Sequence, residues 1–429
     1  MIWLCLGLAA VTVLAIVLLR DSALALGVIW GGLALAAASD LLLSVSSRSL
    51  VLEADLPDSG FSGLTAPFSV QLAARRGPLP PHMELRLTLD DGLSAPQDIS
   101  LEPEADRARA IIPLGLRRRG PQAVRAVALR YASRLGLFEI LPRWPLEQSI
   151  KVLPNIQPVL SGEVHNRMLP LLDGHRSAHL RGEGSEFHQL RDFVPGMDPR
   201  KIDWKRSARV FDLVARETRA ERNHQIMICV DHGHLMSETI GKLSKLDHAI
   251  NNALALCWAG GLGGDTVGFY SFGPKPGLML PPSPGQKAFA RMRAACADLQ
   301  QSDAETNHTL AMSRLYSALN RRSLVVVFSD FADSVTAELL VENMAVMTRH
   351  HLVLYVALRD NALDRLAHPQ TLSMETIAQS VSAVRFKQER ASVLDRLNRL
   401  GVLCLDAGPE TLTPALLSRY TDIKLQGLI

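Results

Sequence analysis

The stretch Gln225-Ile226-Met227-Ile228-Cys229-Val230-Asp231 is an apolar run closed by an acid. It is continuous rather than alternating and too short for a buried helix, so it reads as a strand covered on both faces. After it Leu243, Leu246, Ile250, Leu254 and Cys257 recur at helical spacing, and Thr266 to Phe272 forms a second strand behind Gly263-Gly264-Asp265. That order is β-α-β. The alternation continues with an edge strand over Leu278 to Pro281, helices over Lys287 to Leu299 and Leu310 to Leu319, and a strand over Leu324 to Ser329. A helix over Thr336 to Thr348, a strand over Leu352 to Leu358, a helical stretch from Ile377 to Leu400 and a strand over Val402 to Leu405 follow. The pattern predicts an α/β domain over residues 221–429, a doubly wound, mostly parallel sheet with right-handed crossovers. Ligands on such sheets sit beyond the strands' carboxyl ends, and two acids fall there: Asp231 after the first strand and Asp330 after Leu324 to Ser329.

Upstream the pattern changes. Residues 45–155 carry short alternating runs, such as Val51-Leu52-Glu53-Ala54 and Glu84-Leu85-Arg86-Leu87-Thr88-Leu89, between turns such as Pro57-Asp58-Ser59-Gly60. With Ala108 to Leu114, Ala123 to Tyr131 and Ser149 to Val152 they predict a small antiparallel sandwich of the immunoglobulin-like kind. Residues 156–220 read as a connector that runs over the surface.

Residues 1–40 hold two uncharged runs of 18 residues, Ile2 to Leu19 and Ser22 to Ser39, separated by Arg20 and Asp21. Each spans roughly 27 Å as a helix, one hydrocarbon thickness. They predict a transmembrane hairpin, placing two helices in membrane lipid and returning the chain to its starting side. Arg75, Arg76 and Arg117-Arg118-Arg119 lean the soluble part towards the cytoplasm. The five cysteines, Cys5, Cys229, Cys257, Cys296 and Cys404, are widely spaced with no disulfide or zinc pattern, which agrees. The expected location is the inner (cytoplasmic) membrane.

With 46 Lys+Arg against 43 Asp+Glu, the net charge of +3 is no electrostatic footprint for nucleic acid. From Gln189 to Arg222 nine basic residues face six acidic ones, but the signs alternate and no aromatics interleave as stacking platforms. Nucleic acid is therefore excluded as a partner.

The segment from Glu186 to Arg209, EFHQLRDFVPGMDPRKIDWKRSAR, contains Phe-x-x-Leu-Arg, then Pro-Gly-x-Asp-x-Arg-x-Ile-Asp-Trp, then Ala-Arg. It strongly resembles the signature of the DUF58 family. Arg119-Gly120, Gly136-Leu137-Phe138 and Val152-Leu153-Pro154 upstream, and Gly264-Asp265-Thr266-Val267-Gly268 and Arg321-Arg322-Ser323-Leu324 downstream, extend the resemblance over nearly the whole chain. It implies a von Willebrand factor A (vWA)-like C-terminal half, a membrane anchor made of a helix pair, and a MoxR-type AAA+ ATPase as partner. Arg191, Pro195, Gly196, Asp198, Arg200, Asp203, Trp204 and Arg209 are the signature positions, either structural or in contact with that partner. Read physically, Asp198-Pro199 is a helix start and Arg200 to Arg209 about two and a half turns. Arg200 and Asp203 would then be neighbours, with Trp204 packing on another surface.

The vWA resemblance raises a metal question. Such domains hold a divalent cation on Asp-x-Ser-x-Ser, a Thr and a second Asp, all hard oxygen donors. The matching Asp231-His232-Gly233-His234-Leu235 has lost both serines. Asp231, with Thr306 and Asp330, leaves a degenerate set that would hold Mg²⁺ only weakly, and capping without an ion is the favoured reading. His232 and His234 lie in a turn without a supporting HExxH or Cys pair, which disfavours zinc. No nucleophile elbow, Walker loop, kinase signature or dinucleotide fingerprint occurs, and Gly260-Gly261-Leu262-Gly263-Gly264 follows a helix, as a helix stop does. The expectation is a non-enzymatic, membrane-anchored adaptor with no confident cofactor, working with the ATPase on assembly or maturation of protein complexes. The alternatives are a Mg²⁺-dependent hydrolase on the switch-point carboxylates and a structural membrane scaffold.

Overall fold

The computed structural model describes residues 22–75, 77–97, 99–103, 107–168, 186–194, 197–199, 202–219, 224–332, 337–369, 371 and 373–429. The chain divides into two units, Met1–Leu153 and Pro154–Ile429.

The first unit begins with the helix Ser22–Leu43, rich in Leu and Ala. At about 1.5 Å per residue it is long enough for a bilayer core, and among the described residues no other helix is both long and apolar enough to cross one. The other expected span, Ile2 to Leu19, lies outside the described residues. The helix ends in a polar lock. Asp40 is fully buried, and its carboxylate accepts from the Ser133 hydroxyl at 2.5 Å and from the backbone N–H groups of Leu135 at 2.6 Å and Leu137 at 3.3 Å. A buried carboxylate demands such donors. Gly136, at φ +75°, lets the 133–138 loop turn back on itself, with the Ser133 N–H donating to the Phe138 carbonyl. The Gly-Leu-Phe step thus builds a socket for the helix end.

Behind the helix two sheets face each other. One runs β1 (Leu50–Asp55), β3 (Thr65–Ala74), β7 (Arg107–Leu116) and β5 (Leu93–Ser94). The other runs β2 (Ser59–Phe61), β10 (Arg143–Leu153), β8 (Gly120–Ala132), β4 (Met83–Leu89) and β6 (Ile99–Leu101), with β9 (Glu139–Ile140) on β8. Alternate residues Ala66, Phe68, Val70 and Leu72 of β3 point inward with Ile112, Leu114, Leu85, Val127 and Ile150 to make one core. The pairing is antiparallel except where β2 joins β10, a correction to the all-antiparallel expectation.

In the second unit a hairpin of β11 (Glu186–Asp192) and β12 (Val214–Arg219) holds the signature. The main strands are β13 (Gln225–Asp231), β16 (Thr266–Phe272), β17 (Pro276–Pro284), β18 (Leu324–Phe328), β19 (Leu352–Leu358) and β20 (Leu403–Ala407); a small hairpin of β14 (Thr239–Ile240) and β15 (Leu243–Ser244) follows β13. The main sheet has the order β17-β16-β13-β18-β19-β20, parallel apart from the antiparallel edge β17. The helices His308–Ala318, Ala337–Met347 and Met374–Arg399 pack on one core with the sheet. Lys245–Leu262 packs against both Gly285–Asp298 and Pro409–Leu425 to form another group. Burial on both faces explains the continuous apolar runs: β13 is buried from Ile226 to Asp231. The strand order reverses between β13 and β18, so the crevice at this switch point opens between the residues that follow them.

At the opposite end of the strands Gly264-Asp265 has a structural role. Gly264 takes φ +80°, and fully buried Asp265 accepts from Lys424 Nζ at 2.7 Å and from the Tyr420 hydroxyl at 2.5 Å. This ties the last helix to the sheet. Burial lowers the pKa of Lys424 while the Asp265 carboxylate opposes the shift. Asp265→Ala would strand that buried ammonium, and a loss of about 3–5 kcal/mol is expected in denaturant unfolding; a loss under about 1 kcal/mol would contradict the pairing.

Candidate functional site

Asp231 ends β13 and Asp330 follows β18, so the two acids flank the switch point. Both are buried, and both are engaged within the chain. Asp231 Oδ1 accepts from the Gly233 N–H at 2.9 Å and the Thr306 hydroxyl at 2.5 Å, and Oδ2 from the Ser329 hydroxyl at 2.6 Å. Of Asp231, Thr306 and Asp330, the first two are bonded to each other, and Asp330 follows Ser329, whose hydroxyl bonds Asp231. Ser329 was not anticipated, although it stands next to Asp330 in sequence.

Gly233 is required by close approach rather than by its backbone, since φ is −70°. A Cβ there would stand 2.0 Å from Thr306 Oγ1. The threonine hydroxyl thus reaches Asp231 through space that a side chain at 233 would fill. His232 and His234 diverge: His234 is exposed, while His232 is half-buried beneath Gly273 with burial lowering its pKa. Among the described residues no three His, Cys, Asp or Glu side chains are grouped to hold a metal.

Asp330 carries two cations. Lys245, at the first turn of its helix, donates to Oδ2 at 2.6 Å, and Arg390, midway along Met374–Arg399, donates to Oδ1 at 2.7 Å. Lys245 also pairs with Glu238, and Arg390 reaches Asp406 at 3.2 Å and lies 5.3 Å from the centroid of the Phe331 ring. Burial alone would lower both cations' pKa values; the Asp330 carboxylate, with Glu238 for Lys245 and Asp406 for Arg390, outweighs it and raises them. Both therefore stay charged at neutral pH. This chain of charges floors a cleft of about 580 Å³, whose apolar lining includes Ile240, Leu363, Phe386 and Leu394. A divalent cation at this place would have to displace an ammonium and a guanidinium from oxygens they already fill. Asp330, held by two cations, does not fit the role of a metal ligand.

The signature occupies a different place. Its helix is Trp204–Val210, capped by Asp203, whose carboxylate accepts from the Arg206 N–H at 3.1 Å. The expected start at Asp198-Pro199 is corrected: a turn there closes with the Ile202 N–H on the Pro199 carbonyl at 3.2 Å, Ile202 then bridges to Ala215, and the helix begins only after Asp203. Asp203 is buried; Arg191, Asp198 and Arg209 are exposed; Pro195, Gly196 and Arg200 lie outside the described residues. Trp204 does not pack away: it is 68% exposed. Phe211, which sequence reasoning missed, closes the helix at φ +60° with its side chain 95% exposed. Trp204 and Ala208 fall on one helical face, and Phe211 follows at the helix end, beside exposed Lys205, Arg206 and Arg209.

A doubly wound α/β domain, with two internally bonded acids at its switch point and an exposed aromatic helix at its entry, is the class that fold and site define. Residues 189–393 match the family model described as Protein of unknown function DUF58. The chain is also similar to Uncharacterized protein Rv1480 of Mycobacterium tuberculosis and Uncharacterized protein Mb1516 of Mycobacterium bovis. Each is 26% identical over 170 residues, 39% of this chain and 54% of the relative. The match thus spans about half the length of these curated relatives. Similar solved structures include the conserved hypothetical protein BatB from Bacteroides thetaiotaomicron, with TM-score 0.31, 11% identity, and 46% of this chain and 100% of that chain covered. Another is an aerotolerance-related membrane protein from Bacteroides fragilis, with TM-score 0.32, 11% identity, and 47% and 99% covered. Likeness at that level leaves fold and function to be argued from the residues.

The Gly233–Thr306–Asp231 contact makes a coupled prediction. Gly233→Ala is expected to destabilise the domain by pushing Thr306 off Asp231, and Thr306→Ala in the same chain to recover part of the loss. The coupling energy expected from chemical denaturation is about 1 kcal/mol or more. Strict additivity would show that the two side chains do not compete for one space.

Proposed function

We propose that the protein is a membrane-anchored, vWA-like adaptor, which docks a protein partner through the exposed face of its signature helix and performs no chemistry at the switch point. The partner implied by the family resemblance is a MoxR-type AAA+ ATPase, acting in assembly or maturation of protein complexes. The proposed location is the inner membrane, with two N-terminal helices and the soluble units in the cytoplasm. The strand order with one antiparallel edge supports the vWA-like reading.

Phe211 carries the proposal. A left-handed residue with a side chain costs about 1–2 kcal/mol over an unstrained one, and glycine would fill the cap without it. Phenylalanine stands there with its side chain almost wholly in water. With Trp204 seven residues earlier and a basic flank, it forms an aromatic and cationic surface of the kind that anchors interfaces. The hydrolase reading lacks such support, since Asp330 already holds Lys245 and Arg390 and both oxygens of Asp231 already accept hydrogen bonds within the chain.

Phe211→Gly separates docking from folding. The variant is expected to be as stable as the wild type or more so, because the strain is relieved. Combined with Trp204→Ala, it is expected to lose the partner in affinity capture of the detergent-solubilised full chain from its native host, with and without ATP. Recovery of the same AAA+ ATPase by wild type and variant would move the interface elsewhere. Recovery of none by either would remove the ATPase from the proposal.

A further inference from the structure

The socket that holds Asp40 also fixes where the sandwich sits relative to a bilayer. The uncharged run Ser22 to Ser39 is 18 residues, about 27 Å of helix, so if it fills the hydrocarbon core Asp40 stands at the boundary between acyl chains and headgroups. Whatever bonds to Asp40 shares that depth. The bonded groups are the Ser133 hydroxyl and two backbone N–H groups of the 133–138 loop, in which Leu135 is 62% exposed. Leu41, Leu42 and Leu43 on the last helical turn are exposed as well. Isolated exposed leucines are ordinary, but the bond from the Leu135 N–H to Asp40 places Leu135 beside the helix end that carries the other three.

The same end of the sandwich is cationic. The Tyr131 hydroxyl donates to the Val45 carbonyl at 2.7 Å, the Arg75 N–H to the Ser49 carbonyl at 2.7 Å, and the Arg134 N–H to the Ser44 hydroxyl at 2.9 Å. These bonds bring Arg48, Arg75 and Arg134, all exposed, around the helix exit. Neighbouring Glu139 is paired with Arg130 at 2.5 Å. A tip of leucine inside a ring of arginines matches a bilayer surface, with acyl chains for the one and anionic phosphates for the other.

We infer that the sandwich is a membrane-seated domain: Leu135 inserts at the acyl boundary, Arg48, Arg75 and Arg134 contact lipid phosphates, and Asp40 locks this pose to the transmembrane helix. The inference rests on the reading that Ser22–Leu43 crosses the membrane. It goes beyond anchoring, since a tethered domain need not touch the bilayer at all. Its consequence is a fixed stalk rather than a swinging one.

A benzophenone amino acid placed at Leu135, Leu42 or Thr65 of the full chain, reconstituted in nanodiscs of phosphatidylethanolamine and phosphatidylglycerol, tests it by mass spectrometry of lipid adducts after irradiation. Thr65 starts β3, whose other end, Ala74, adjoins Arg75 and Ser49, so it stands about 30 Å away along the strand. Adducts are expected at 42 and 135, and at 135 about tenfold or more above 65, given an insertion depth of about 5–10 Å. Adducts at 42 with none at 135 would overturn the seating while the transmembrane reading stands. Absence at both positions would overturn both.

Discussion

One carboxylate with two cations on it, Asp330 between Lys245 and Arg390, orders the carboxyl end of the α/β sheet. Each partner comes from a different element: the first turn of the helix Lys245–Leu262, the segment just after β18, and the middle of Met374–Arg399, which in turn reaches Asp406 on β20. Buried pairs of this kind add little net stability, because desolvation offsets most of the attraction, but they penalise any arrangement that separates the charges. They specify geometry. They also place protein cations where an open α/β sheet would otherwise offer oxygens to a metal.

The same device recurs twice. Asp265 draws Lys424 and Tyr420 from the last helix onto the sheet's other end, and Asp40 draws the 133–138 loop onto the end of the apolar helix. In each case a buried acid joins segments far apart in sequence, and in each the donors satisfy it fully enough for burial to be tolerated. Chemistry at these acids would require donors to let go. The surfaces left for recognition are those the acids do not use: the aromatic face of the signature helix, the cleft beside Arg390 and the rim of the sandwich.

How far this could be read in advance depended on range. The buried strands of the main sheet were legible because continuous apolar runs of strand length leave few other readings, and the acids closing two of them marked the switch point. β3 escaped notice: Pro67 interrupts it, yet β1 ends opposite Ser69, so the missing N–H costs no bond on that side. The signature helix was set too early because Asp198-Pro199 has local start chemistry, whereas the bridge from Ile202 to Ala215 is a tertiary fact. The role of Lys245 and Arg390 was not legible at all. They lie 85 and 60 residues from Asp330, and nothing in their own neighbourhoods distinguishes them from solvated charges. Gly233 looked like a lost donor; it is the opening through which Thr306 reaches Asp231.

The most direct measurement is calorimetric unfolding of the full chain in detergent, without and with about 10 mM Mg²⁺ or Mn²⁺, a concentration at which even a millimolar site would raise Tm by about 3–5 °C. With Asp330 already holding a lysine and an arginine, and Asp231 already accepting from Gly233, Thr306 and Ser329, no shift beyond the scatter of the instrument is predicted. A rise of several degrees that Asp231→Ala abolishes would mean that the switch point is a metal site after all, and would return the hydrolase reading to first place.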